Sequence, residues 1–307
     1  MAPLKFGLVG TGHWAQIAHA PALATTEDIS LTAVWGRDPQ AAAALASAHG
    51  ATAYSPASPA GDIAAFLDAV DGVAFAVPPD VQAPIAVTAA RAGKHLMLEK
   101  PLALSPASED ELVAAVAESG VASVVFFTFR FRADIRAWLA EVTARGGWMG
   151  GLTGWFGDSL MGSSPFNTPW RRDKGALWDI APHAVSLLWV ALGPVIAVTA
   201  DAGPADVSHL ILHHEGGTSS TITVSQHGGA AAGFETYLWG PSGRSAVPAG
   251  SGDPVPPLRV ALGELAGNIR SGQTAHPCDA SFGRDVGRVI SEAQRQLDAR
   301  NPRRGGR

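Results

Sequence analysis

Between residues 4 and 127, short apolar runs alternate with amphipathic stretches of helical length, and Gly10 and Gly12 break the chain just after the first run. A chain with this rhythm folds as βαβ units around a parallel sheet. Strands are expected over 4–9, 31–35, 73–77, 95–98 and 121–127. Helices are expected over 13–23, 39–49 and 80–92, and another opens at Ser105-Pro106 with Glu109 in capping-box style. Past about residue 123 the rhythm changes. A helix over 132–144 leads into a Gly- and Trp-rich region, then a helix over 178–192. Four runs without helices between them follow, at 195–200, 207–213, 219–226 and 234–239. Consecutive strands at this spacing make a largely antiparallel open sheet. Helices over 258–270 and 282–297 close the chain. The expected fold is α/β, with a doubly wound domain over 1–122 and an α+β domain over 123–307.

The charge balance of 22 Lys+Arg against 27 Asp+Glu, on 16% charged residues, excludes a basic nucleic-acid surface. At 47% hydrophobic residues the chain has ample material for a core. Its one cysteine, Cys278, rules out an internal disulfide or a thiolate metal cage. No apolar run approaches the ~20 residues of a membrane span, and the first residues lack the layout of a signal peptide. A cytoplasmic protein without a membrane partner is expected. The Ser/Pro stretch 55–60 reads as a loop, and the Arg/Gly-rich residues 301–307 as a solvated end. His209, His213 and His214 do not form a metal site, because 209 and 213 share one face of a strand while 214 points away.

Gly10-Thr11-Gly12-His13-Trp14-Ala15 fits the GxGxxG/A pattern between a strand and a helix. Gly10 permits the tight turn, Gly12 lets the backbone approach a pyrophosphate, and Ala15 keeps the helix close to the sheet. The helix N-terminus then offers unpaired N–H groups to the anion. A bound dinucleotide is the reading. At the end of the second strand the chain runs Val34-Trp35-Gly36-Arg37-Asp38. No acid occupies the strand tip to receive a ribose 2′-hydroxyl. Gly36 leaves room and Arg37 brings a cation, so NADP(H) is favoured over NAD(H).

Only four lysines occur, and Lys100 sits where an apolar run ends in Glu99-Lys100-Pro101. Strand C-termini of a parallel sheet are ligand-binding positions. A lysine there suits donation to a substrate oxygen, although a solvated edge lysine fits the same spacing. Farther on, Asp179 and His183 are four residues apart, and Pro182 places them at a helix N-terminus. A carboxylate and an imidazole on one face are suited to acid–base work near neutral pH. On spacing alone, an N-capping Asp179 with a partly buried His183 accounts for the pair better.

The glycine turn, the strand ending in Glu-Lys-Pro and the later Trp170-Arg171…Asp179-x-x-x-His183 together resemble the Gfo/Idh/MocA oxidoreductase family. Tyr237 to Gly243 and Asn268 to Gly272 look like further family landmarks. The resemblance implies a Rossmann domain, then an α+β domain whose open sheet face mediates homodimers or homotetramers. It implies that Lys100 contacts the reacting oxygen, that Pro101 is cis, and that Asp179 and His183 are catalytic, with His183 accepting the alcohol proton. Trp170 and Arg171 would lie near cofactor and substrate, and Pro78-Pro79 beside the nicotinamide ribose. The chain departs from the family pattern at Gln82 (often His), Ala181 (often Gly) and Ser186 (often Asp), and it is short for the family.

These readings lead to NAD(P)-dependent hydride transfer on a secondary alcohol or carbonyl of a small sugar- or inositol-like substrate. Two alternatives stay open: a non-catalytic dinucleotide-binding sensor, and a glycoside-cleaving enzyme that recycles its bound NAD.

Overall fold

A computed structural model of the chain describes residues 2–56, 63–250 and 252–300. The expected end segment 301–307, and most of the expected loop 55–60, lie outside the described residues. The chain divides into two compact units, one of Met1–Phe131 with Gly252–Arg284, the other of Arg132–Ser251 with Asp285–Arg307. The segment 252–284 groups with the N-terminal unit.

The first unit contains β1 (Leu4–Val9), α1 (Ala20–Thr25), β2 (Ile29–Trp35), α2 (Pro39–Ala48), β3 (Thr52–Tyr54), α3 (Ile63–Asp68), β4 (Gly72–Phe75), α4 (Pro79–Arg91), β5 (His95–Leu98), α5 (Pro106–Ser119) and β6 (Ser123–Val125). All six strands are parallel, in the order β3-β2-β1-β4-β5-β6. This order reverses direction between β1 and β4, and the crevice at the strand C-termini there is where such sheets bind ligands. β1 is apolar because it is covered on both faces: Phe6, Leu8 and Val9 are fully buried. Asp38 caps α2 by accepting from Gln40 N and Ala41 N, with Pro39 in the first turn. Ser105 caps α5 through Ser108 N, and Glu109 stands one place too far along to close a capping box.

α1 is entered through a π-helical turn, Ala15–His19, in which Ala20 N–H reaches back to Ala15 O. Pro21 follows, and its missing N–H leaves the α-helical ladder one bond short, a usual cause of such irregularities.

The second unit holds α6 (Ala133–Arg145), β7 (Gly150–Phe156), α7 (Pro169–Asp179), α8 (Ala181–Leu192), β8 (Val195–Ala202), β9 (Ser208–His214), β10 (Ser219–Ser225), β11 (Gly233–Gly240) and β12 (Gly243–Ala246). Its sheet runs β12-β11-β7-β10-β9-β8. The β7–β10 pair is parallel and the others antiparallel, so the sheet is mixed, with the expected antiparallel majority. β9 alternates buried and exposed residues strictly: His209 and His213 face out, and His214 is buried against Gly193 O and Ser220 Oγ. α9 (Val255–Ser271) then returns to the first unit, where Arg270 pairs with Asp28. The last helix is α10 (Ala280–Arg300).

The expected single helix over 178–192 is instead two. Gly175 (φ 63°, ψ −162°) kinks α7, and Ile180 separates it from α8. Among the described residues, Pro169–Leu192 is long and apolar enough to cross a membrane by length and composition alone, through one 18-residue window of mean hydropathy 1.3. However, 83% of that apolar window is buried inside the protein, as for a core helix.

Candidate functional site

In the first unit, the ends of β1, β4 and β5 bring the glycine turn, the Pro78-Pro79 segment and the Glu99-Lys100 turn to one end of the sheet. Gly10 has φ +127°, and a Cβ there would lie 2.4 Å from Ala76 O, so the turn is pressed against the strand that leads to Pro78. Pro78 caps α4 and Pro79 opens it. Gly12 is different. It is exposed, and a Cβ there would meet nothing within 4 Å, which leaves the backbone open to a phosphate. Ala15 is fully buried, as close packing of helix on sheet requires. Within the turn, Thr11 and His13 are partly exposed, and Trp14 Nε1 donates to Glu99 Oε1 at 2.6 Å. Glu99 Oε1 also contacts His19 Nε2 at 2.9 Å, so one buried carboxylate ties the nucleotide-turn helix to the turn that carries Lys100. These residues fit a dinucleotide: an open glycine at a helix entry, with its neighbours packed.

The Lys100-Pro101 peptide is cis, as the resemblance implies. Gln82 holds this turn. Its amide nitrogen donates to the carbonyls of Glu99 (2.8 Å), Leu102 (3.2 Å) and Pro101 (3.3 Å), and its oxygen accepts from Glu99 N (2.8 Å). Gln82 is fully buried. Its departure from the family pattern therefore concerns the shape of the turn.

At the end of β2 the expected free space is filled, since a Cβ on Gly36 would lie 2.6 Å from Thr11 Cγ2. Arg37 is exposed, and Asp38 is engaged at the α2 N-terminus.

In the second unit, Asp179 ends α7 and His183 sits in the first turn of α8, both 8% exposed. Asp179 does not cap a helix through its side chain. Its Oδ2 accepts from Arg171 Nε at 2.9 Å and Gln226 Nε2 at 2.5 Å. The Arg171 guanidinium in turn lies over Trp170 (4.8 Å) and Phe166 (5.4 Å). The His183 ring packs on Trp155 at 5.7 Å. Ser186 Oγ donates to His183 O within α8, and Ser186 is fully buried. Gln226, Asp206 and Trp155 were not among the residues expected from sequence. Gln226 follows the Ser/Thr-rich β10 and Asp206 sits in a loop, and neither position carries a spacing signal.

Comparison with known proteins agrees with this fold. A model of the oxidoreductase family with NAD-binding Rossmann fold matches residues 4–127, and the Gfo/Idh/MocA C-terminal domain model matches 145–245. The chain belongs to the Gfo/Idh/MocA oxidoreductase family. Among relatives, levoglucosan dehydrogenase of Pseudarthrobacter phenanthrenivorans is 33% identical over 42% of this chain and 34% of its own. Inositol 2-dehydrogenase of Rhizobium meliloti is 28% identical over 85% of this chain and 79% of its own. The chain spans between about a third and just over half the length of the first curated relatives it matches. Two solved structures share the fold. An oxidoreductase from Agrobacterium radiobacter in complex with NAD+, L-tartaric acid and magnesium gives a TM-score of 0.79 at 19% identity, covering 98% of each chain. UDP-N-acetylglucosamine 3-dehydrogenase from Acidithiobacillus ferrooxidans gives 0.80 at 19%, covering 97% of this chain and 99% of that one. At such identities the likeness speaks for the fold alone.

Proposed function

We propose that this Gfo/Idh/MocA chain is an NAD(P)-dependent dehydrogenase or reductase acting on a secondary alcohol or the matching carbonyl of a sugar- or inositol-like substrate. The reading is carried by the retention, in a chain matched by both family domain models, of Lys100, Asp179 and His183 together with the open Gly12 turn. Relatives named for levoglucosan and inositol support the polyol class. When bound, the nicotinamide supplies or accepts the hydride. Gly10 to Ala15 hold the pyrophosphate, and Pro78, Pro79, Glu99, Trp170 and Arg171 complete the cofactor's surroundings. His183 takes the hydroxyl proton, Lys100 steadies charge on a substrate oxygen, and Asp179, neutralised in part by Arg171, orients the histidine. NADP(H) is preferred: Asp38 is engaged in capping α2, while Arg37 is exposed beside it. Exposed Ile196, Ile211 and Trp239 on the open sheet face support a homodimer or homotetramer. We place the protein in the cytoplasm.

The test is a thermal-shift titration with NAD(H) and NADP(H), then a polyol panel followed at the reduced-nicotinamide absorbance. Lys100→Met and His183→Ala should each keep dinucleotide binding and lower turnover about a hundred- to ten-thousand-fold. Full turnover in both variants would sink the assignment.

A further inference from the structure

Among the donors that hold Asp179, Arg171 lies on its own helix and Gln226 does not. Gln226 comes from the end of β10, and its position is itself fixed. Asp206 Oδ2 accepts from Gln226 N at 2.9 Å and from Ala176 N at 3.0 Å; its Oδ1 accepts from Ser225 Oγ and contacts His227 Nδ1, both at 2.8 Å. One carboxylate therefore joins the residue just after the α7 kink to the residues that close β10. The kink itself depends on this packing. Gly175 has φ +63°, and a Cβ there would lie 3.0 Å from Asp206 Cβ. From the fixed Gln226 backbone the side chain reaches 2.5 Å from Asp179 Oδ2, and Gln226 is 1% exposed. The amide has a single workable orientation, because turning it over would set its oxygen against the carboxylate.

We propose that Gln226, anchored by Asp206, is the positioning residue of the Asp179 carboxylate, a role that deepens the dehydrogenase reading and rests on it. Arg171 reaches Oδ2 from α7. The amide adds a donor from the sheet, so the carboxylate is aimed from α7 and β10 together. Its hydrogen bond is also stronger to the charged carboxylate than to the neutral acid, and a buried donor of that kind favours ionisation. Arg171 on α7 pairs with the carboxylate, His183 stands four residues on in the first turn of α8, and Asp206 and His227 lie behind Gln226. Asp206 is itself an anion: burial alone would raise its pKa, but hydrogen bonds from His227, Ser225 and Gln226 outweigh that and hold it below its ordinary value.

The experiment reads Asp179 directly, by carbon NMR of aspartate carboxyls in the full chain, with Asp179→Asn for assignment. Gln226→Met should raise the Asp179 midpoint by roughly half to one pH unit and move the acid limb of the turnover profile with it. kcat should fall about tenfold, while the KM for dinucleotide changes less than about twofold. A part that is merely structural would lower the melting temperature and leave the midpoint in place, which would overturn the proposal. Gln226→Glu is the second variant. It places two carboxyls within hydrogen-bond range, so one of them should titrate about two units above the ordinary range; ordinary titration of both would also overturn it. A wild-type chain that turns over no polyol, yet shows these NMR shifts, would sink the dehydrogenase reading and leave the placement of Gln226 standing.

Discussion

The Gln82 side-chain amide grips the Glu99 backbone on both sides of its Cα: Glu99 N donates to Gln82 Oε1 and Gln82 Nε2 donates to Glu99 O, each at 2.8 Å. The turn that carries Lys100 is thus held by a buried amide on α4. Gln82→Leu keeps the bulk and removes every one of these bonds, leaving a buried N–H and carbonyl without partners. Such orphaned groups cost about 1–3 kcal/mol each. Urea denaturation should show a loss of roughly 3 kcal/mol, and turnover should fall more steeply than dinucleotide affinity. A loss below about 0.5 kcal/mol, the scale of an ordinary surface change, would mean the clamp is idle.

The two glycines of the nucleotide turn should separate folding from binding. Gly10→Ala meets both a positive φ and Ala76 O at 2.4 Å, so it should destabilise the chain by about 3 kcal/mol. Gly12→Val meets nothing within 4 Å and should hold its melting temperature close to wild type, while dinucleotide affinity drops about tenfold or more. Calorimetric titration beside thermal melts checks both. Equal binding by wild type and Gly12→Val would remove the turn from the cofactor site.

Arg37 is the exposed cation next to a carboxylate already engaged at the α2 N-terminus. Arg37→Ser should weaken NADPH about tenfold, the worth of one charge-assisted hydrogen bond, and leave NADH nearly unchanged. If both cofactors weaken alike, Arg37 does not read the 2′-phosphate.

Most of this arrangement was legible in the sequence where one element suffices to define it. The order of apolar runs gives the parallel sheet, and the glycine turn and Lys100-Pro101 fall where the pattern put them. β7 was hidden because Gly150, Gly151 and Gly154 mask a central strand, glycine being a weak strand former. β3 was too short to register. The junction of α7 and α8 reads as one continuous helical pattern, and the break at Gly175 depends on Asp206, which is 31 residues away in the chain. Gln82 and Gln226 act through contacts with residues 17 and 47 positions distant, which no local spacing can signal.

Acid should destabilise the protein in two stages with a definite sign. Burial lowers the pKa of His214 below its ordinary 6.5, against the Gly193 carbonyl, which raises it. Burial likewise lowers His95, against Asp71, and His95 Nδ1 accepts from Ala122 N at 3.0 Å, a bond that only the deprotonated nitrogen can make. The unfolded chain therefore takes up protons at these two sites near pH 6.5 while the folded chain resists. Stability is constant above that value and falls as pH drops below it, until the lowered folded pKa values are reached. Asp206 adds a second stage. Its folded pKa is depressed, so its contribution is complete above the ordinary carboxylate range of about 4 and is lost as pH falls through the lower folded value. Melting temperatures measured from pH 8 to 3 should show both limbs. The double substitution His95→Asn and His214→Gln should flatten the limb between about pH 6.5 and 5 relative to its own value at pH 8. Parallel curves for wild type and double variant would assign that limb to other groups.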